Sequence, residues 1–342
     1  MEHRLLARTG VRVSELGLGA MMFGRGVNDD EAECAEVIGR CLDAGINHID
    51  TADAYGAGES ERIVGRAIAD RRDEVVVATK CYFPKGPDVN QRGGSRRWIV
   101  RACEASLRRL GTDRIDLYYL HRLDPDVDPE ESLAAMDQLV RQGKVLYVGT
   151  SGTRGSELVE CQWVAREHGL ARPVAEQTQY SALSRAVEHD VLPTCERHRV
   201  GAVVYGPLNG GWLSGKYRRD APAPEGSRMA TNFFRAAWWD RDRPEVDRKF
   251  DLVERYEAVA SEAGLTLVQL ALGFALAHPA IVSVLIGPRR PDQLDALLAG
   301  AGVRLDDDVL AAIDEVVPPG VDVDPSNMVQ VRGRQGGRRP ES

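Results

Sequence analysis

The run Gly45-Ile46-Asn47-His48-Ile49-Asp50-Thr51-Ala52-Asp53-Ala54-Tyr55-Gly56 decides how the whole chain reads. Its first half, 46–50, has the character of a short strand, and it breaks into a loop at Thr51. The loop carries a tyrosine before a helix begins near Glu59. A carboxylate, Asp50, therefore stands at the carboxyl end of a strand, with the Tyr55 phenol a few residues beyond.

Working outward from there, the chain alternates. Helix 29–44 leads into strand 46–50, and helix 59–70 into strand 75–80. Helix 95–110 precedes strand 115–121, and helix 129–142 precedes strand 145–149. Helix 155–168 is followed by strand 174–178, and helix 188–198 by strand 201–205. After a long excursion come helices near 247–263 and 266–277, strand 282–286 and a last helix, 290–300. Upstream, residues 4–19 read as a β-hairpin turning at Thr9-Gly10, followed by a first barrel strand at 17–20. Repeated strand–helix–strand units require a parallel sheet covered by helices. The strands are short and rich in Val, Ile, Leu and Tyr, as expected when both faces are buried. Eight strand candidates make the fold an α/β barrel of the (β/α)8 TIM type, with an N-terminal hairpin and a long loop after strand seven. A doubly wound sheet is the alternative. Its phosphate-binding signature fails here, because Gly17-Leu18-Gly19-Ala20-Met21-Met22 lacks the last glycine and no helix starts there.

Local signals agree. Ser95 stands before an apolar-periodic helix running through Ile99, Cys103, Leu107 and Leu110, and Gly111 supplies a stop. Asp128-Pro129-Glu130-Glu131 combines a cap, an N1 proline and an acidic first turn.

Composition sets outer bounds. With 342 residues, 43% hydrophobic and 28% charged, the chain is long enough for a sizeable core. A net charge of −8 gives no support for nucleic-acid or acidic-membrane partners. The six cysteines have no C-x-x-C spacing, and Cys34 and Cys41 fall in the stripe of a buried helix face, so core cysteines rather than disulfides or metal ligands are expected. Met1-Glu2-His3-Arg4 lacks the apolar core of a signal peptide, and the apolar segment 265–286 reads as helix, turn and strand rather than a membrane span; a cytoplasmic protein is expected. Residues 206–246, with Phe233, Phe234, Trp238 and Trp239, either cover a ligand or pack on the barrel rim. The Pro-, Gly- and Arg-rich tail from Pro318 is expected to be disordered. The domain is thus placed at 1–319 and a flexible tail at 320–342.

In such a barrel the active site lies at the carboxyl ends of the strands. Those ends read Asp50, Thr79-Lys80, His121, Thr150-Ser151, Gln177 and Tyr205. Any one of them alone would be an ordinary solvated terminus. Six polar ends after mostly apolar strands converge on one mouth. Ser151 has no evident His–carboxylate partner for hydrolysis, and Asp50, Lys80 and His121 make a poor metal set. They suit proton donation. An ammonium beside a phenol lowers its pKa, a carboxylate holds the ammonium, and a histidine can bond a substrate oxygen. The expected product is a phenol tuned toward neutral pH that protonates a developing alkoxide, the task of carbonyl reduction by a hydride donor.

The opening stretch is joined by Gly58-Glu59-Ser60-Glu61, Ala78-Thr79-Lys80, Arg108-Arg109-Leu110-Gly111-Thr112-Asp113, Asp116-Leu117-Tyr118-Tyr119-Leu120-His121 and Gly143-Lys144-Val145-Leu146-Tyr147-Val148-Gly149-Thr150-Ser151. In this order they resemble the aldo-keto reductases, from about Arg4 to Pro319. The resemblance implies a catalytic tetrad of Asp50, Tyr55, Lys80 and His121. It implies NADPH bound across the barrel mouth, a small-molecule carbonyl substrate, and no metal. By similarity Ser151 and Gln177 hold the carboxamide and Tyr205 stacks on the nicotinamide. Gly206, Pro207, Leu208 and Gly210 line the pyrophosphate, and Gly287, Arg289 and Gln293 form the adenosine end. Guanidinium suits a 2′-phosphate, which favours Arg289, with Arg290 as a substitute. Many members have Asn after the serine, Ser after the stacking aromatic and Glu-Asn in the last coenzyme helix; this chain has Gly152, Gly206 and Ala296-Leu297. Pocket candidates are Met22, Phe23, Tyr82 and the Trp238-Trp239 pair. The chain also resembles bacterial keto-sugar and general aldehyde reductases, and potassium-channel β subunits. The last implies an alternative, a nicotinamide-binding sensor with little turnover.

Overall fold

The computed structural model describes residues 1–231 and 238–325. Eight parallel strands close into a barrel: β3 (Leu16–Gly19), β4 (His48–Asp50), β5 (Val76–Cys81), β6 (Ile115–Leu120), β7 (Val145–Ser151), β8 (Ala175–Gln179), β9 (Gly201–Tyr205) and β10 (Ile281–Ile286). Closure is made by β10 against β3, with Ile286 opposite Leu18. Every residue of β10 is buried, as its Ile-Val-Ser-Val-Leu-Ile sequence requires between a filled lumen and an outer helix layer. The hairpin strands β1 (His3–Leu5) and β2 (Arg12–Ser14) lie across the amino-terminal end. Leu6 and Val13 plug that end against Val203 and Val282, while Arg4 donates to the carbonyls of Ile281 and Leu276. These contacts cover the amino-terminal end of the lumen.

The outer layer is α1 (Glu31–Asp43), α2 (Glu59–Ala67), α3 (Arg96–Leu110), α4 (Pro129–Arg141), α5 (Gly155–Glu167), α6 (Val191–His198), α7 (Pro244–Glu262), α8 (Leu267–Ala277), α9 (Leu294–Leu298) and α10 (Asp307–Val316). The capping signals act as expected. Ser95 Oγ accepts from Trp98 N, Gly111 ends α3 at φ 64°, and Asp128 accepts from Glu130 N ahead of Pro129. All six cysteines are buried and unbridged. Among the described residues no single helix is long and apolar enough to cross a membrane.

Three expectations change. Helix 290–300 shrinks to α9, because Pro291 opens a 3-10 turn first. The set does not close there: α10 follows, capped by Asp306 accepting from Val309 N, with Ile313 and Val316 buried. Most consequentially, the packed body does not stop at residue 319. Arg185 N donates to the Val321 carbonyl, Val323 N to Leu183, and Ala186 N to Asp322. Asp324 is buried and accepts from Lys249 Nζ at 2.9 Å and from Arg243 at 3.2 Å. A boundary at 319/320 would cut this clamp. The remainder of the tail, 326–342, lies outside the described residues. In the long loop Trp239 packs on the rim, stacked at 6.5 Å from Trp212, which meets Phe250 of α7 edge-on. Phe233 and Phe234 lie outside the described residues.

Candidate active site

Four side chains from separate elements meet at the open mouth. Asp50 ends β4, Lys80 lies next to last in β5, and His121 follows β6 directly. Tyr55 opens a 3-10 turn after β4. The turn is tight because Gly56 and Ala57 both take φ above +50°, a conformation costly for alanine. Lys80 is fully buried. Its Nζ spends its three donors on Asp50 Oδ1 at 2.5 Å, the Thr51 carbonyl at 2.8 Å and the Tyr55 hydroxyl at 3.3 Å. Gln177 Nε2 donates to the other Asp50 oxygen at 2.8 Å. The His121 ring meets Tyr55 edge-on with centroids 5.9 Å apart, and Phe83 packs on its other side at 4.8 Å. The geometry therefore gathers all four residues expected of the tetrad.

Electrostatics depart from expectation at one point. Burial pushes the Tyr55 phenol above its usual pKa, and Lys80 offsets this only in part. The ammonium is visible in the sequence, whereas the dryness that outweighs it arises only in the fold. A raised phenol remains a proton carrier at neutral pH. Burial, then Lys80 and Arg122, drive His121 well below the usual imidazole range, so it is neutral and able to donate one N–H. Lys80 is raised: burial opposes its charge, but Asp50 and Tyr55 together outweigh that.

The expected coenzyme residues line one arc of the same mouth. Ser151 Oγ accepts from Arg122 at 3.3 Å, and Gly152 N donates to the Gln177 carbonyl. Tyr205 ends β9, and Gly206, Gly210 and Gly211 all have positive φ. Nothing crowds Gly206, whose added Cβ would find only Gln179 Cγ at 3.9 Å. At the far end Arg289 N donates to Gln293 Oε1, Arg289 Nη1 donates to the Gly226 carbonyl, and Arg289 Nε is buried with no hydrogen-bond partner. Arg290 instead pairs with Asp292 at the surface.

The glycine loop and an unsatisfied guanidinium nitrogen fit a ligand with phosphate groups. Two cations that the sequence reading passed over strengthen the fit. Lys216 lies over Gly211, within 3.0 Å of where its Cβ would be, and its pKa is lowered by burial and then by the neighbouring Arg228. Arg228 reaches Met22 Sδ at 3.2 Å and is itself lowered by burial. The two cations are close enough for Arg228 to lower Lys216, and burial lowers both. Their sequence signal, Gly215-Lys216 and Ser227-Arg228 inside a long loop, is faint. A third overlooked residue is Arg122, immediately after His121.

A parallel eight-stranded barrel with a buried Asp–Lys pair touching a phenol at its carboxyl mouth fits the oxidoreductase class. Sequence comparison makes it specific: the profile of the aldo/keto reductase family matches residues 15–318, and the chain belongs to that family. It is 37% identical over 330 residues to an uncharacterized oxidoreductase of Bacillus subtilis, covering 93% of this chain and 96% of the relative. It is 35% identical over 321 residues to a putative voltage-gated potassium channel subunit beta of Schizosaccharomyces pombe, covering 92% of each. A probable subunit of the same kind from Arabidopsis thaliana is 33% identical over 324 residues, covering 93% of this chain and 97% of the relative.

Proposed function

We propose that this protein reduces an aldehyde or ketone to an alcohol with NADPH. The observation that carries the reading is Lys80 Nζ held 2.5 Å from Asp50 and 3.3 Å from the Tyr55 hydroxyl, with a neutral His121 beside them. Bound NADPH supplies the hydride. Tyr55 gives its proton to the substrate oxygen as that oxygen gains charge. Lys80 stabilises the phenolate left behind, and Asp50 balances Lys80. His121 donates to the same oxygen and fixes its position. Ser151 and Gln177 hold the carboxamide, and Tyr205 stacks on the ring. Gly206, Pro207, Leu208 and Gly210, with Lys216 and Arg228, hold the pyrophosphate. Gly287, Arg289 and Gln293 hold the adenosine end, with Arg289 on a 2′-phosphate.

A second reading has support of its own. The fission-yeast and Arabidopsis relatives are named as potassium channel β subunits, and in this chain a coenzyme site could correspondingly serve as a sensor. NADPH oxidation measured with a panel of aldehydes, ketones and keto sugars separates the two. Turnover with any of them supports the reductase. Tight coenzyme binding with no turnover across the panel supports the sensor.

A further inference from the structure

Arg122 is a cation in the mouth that the proton-donating group does not use. Its Nη1 donates to the His121 carbonyl at 2.5 Å and to Ser151 Oγ at 3.3 Å. It fills the space above Gly152, where an added Cβ would lie 2.7 Å from Nη1 and 3.0 Å from Cζ. The Tyr205 hydroxyl faces the same guanidinium. Tyr55 and His121 both feel its charge. No ion pair involves Arg122 among the described residues, and both contacts above are to neutral oxygens. The acid that senses it, Glu176, is already bonded to Thr150 Oγ1 and Thr153 N. Burial pushes Glu176 up to about 7, so at neutral pH it carries only part of a charge. Lys80 differs, because Asp50 neutralises it at 2.5 Å.

Two side chains assigned above to the nicotinamide end, Ser151 and Tyr205, are thus the ones that Arg122 faces. That end of the mouth carries a permanent positive charge that makes no ion pair among the described residues. A reduced nicotinamide ring is neutral, and an oxidised one is cationic. Building on the coenzyme assignment above, we infer that Arg122 biases the site between the two oxidation states, disfavouring NADP⁺ relative to NADPH. The half-buried position of the guanidinium leaves it only partly screened by solvent and salt. The consequence for the reaction is directional: the spent coenzyme is held less firmly than the one that replaces it.

The test is direct titration of the intact chain with NADPH and with NADP⁺, followed by calorimetry or by NADPH fluorescence. Wild type is expected to bind NADPH more tightly. Arg122→Gln keeps a donor but removes the charge, and it should lower the NADP⁺-to-NADPH ratio of dissociation constants about tenfold, the scale of one unit charge acting in a partly screened site. Arg122→Lys restores the charge and should restore the ratio. A merely space-filling role would loosen both forms equally in Arg122→Gln and leave the ratio unchanged, which overturns the inference. So does a ratio that Arg122→Lys alters as much as Arg122→Gln. If wild type binds neither form, the coenzyme reading itself fails and this one with it; the wild-type titration alone tells those failures apart.

Discussion

Replacing Lys80 by methionine separates the two things its ammonium does. Methionine is close in length and fills the same volume, but donates nothing. Asp50 is 2% exposed, and after the change Gln177 is the donor it retains among the side chains that bond it now. Stranding a buried carboxylate in this way costs about 3–5 kcal/mol of stability. The Tyr55 phenolate loses a positive charge 3.3 Å away. At an effective dielectric constant near 20 that interaction is worth up to about 5 kcal/mol, so turnover should fall on the order of 10³-fold. Urea unfolding measures the first effect, and loss of NADPH absorbance with a good aldehyde substrate measures the second. The double variant Asp50→Asn/Lys80→Met removes the stranded charge. It should regain most of the lost stability and none of the turnover. Lys80→Met within about tenfold of wild-type turnover would refute the proton-donor role. A double variant as unstable as the single would refute the account of what holds the pair.

Tyr55→Phe keeps the ring against His121 and removes the proton, so turnover should drop about 10²-fold or more while NADPH affinity, read by fluorescence titration, stays unchanged. Asp324→Ala leaves Lys249 buried without its 2.9 Å partner and should cost about 3–5 kcal/mol in urea unfolding, with Asp324→Leu/Lys249→Met recovering much of it. Glu176 is raised from 4.5 to about 7, so folding takes up a proton there; the stabilisation is complete below pH 4.5 and is lost as pH rises through 7. Glu176→Gln mimics the protonated form, and its stability relative to wild type should grow between pH 5 and 8 by up to about 3 kcal/mol, measured by unfolding at each pH. Arg289→Gln should narrow the preference for NADPH over NADH, and equal losses for both coenzymes would move the 2′-phosphate contact elsewhere.

The barrel was legible because its strands are short, apolar and each followed by a helix with its own start signal. That Asp50, Tyr55, Lys80 and His121 come together was legible for a related reason. Asp50, Lys80 and His121 are polar residues at the ends of apolar strands, and the fold sends all such ends to one mouth. What escaped depends on three-dimensional burial. The direction of the Tyr55 shift turns on how much water is excluded, which no spacing reports. Lys216 and Arg228 belong to a loop without periodicity, so little in the sequence placed Lys216 over Gly211 or Arg228 near Lys216. The α10 signals, Asp306 followed by Val309, Leu310 and Ile313, were present but stand beyond the eighth strand, where the repeat is already complete. Asp324 looked like part of a tail because its partner, Lys249, is 75 residues away.

That last contact constrains how the chain is made. Lys249 emerges from the ribosome well before Asp324 does, and β3, near the amino terminus, pairs with β10 only once residue 286 is out. A chain truncated between residues 286 and 324 therefore holds all eight barrel strands but leaves the Lys249 ammonium without the carboxylate it meets at 2.9 Å, so the cylinder can close before its outer clamp does.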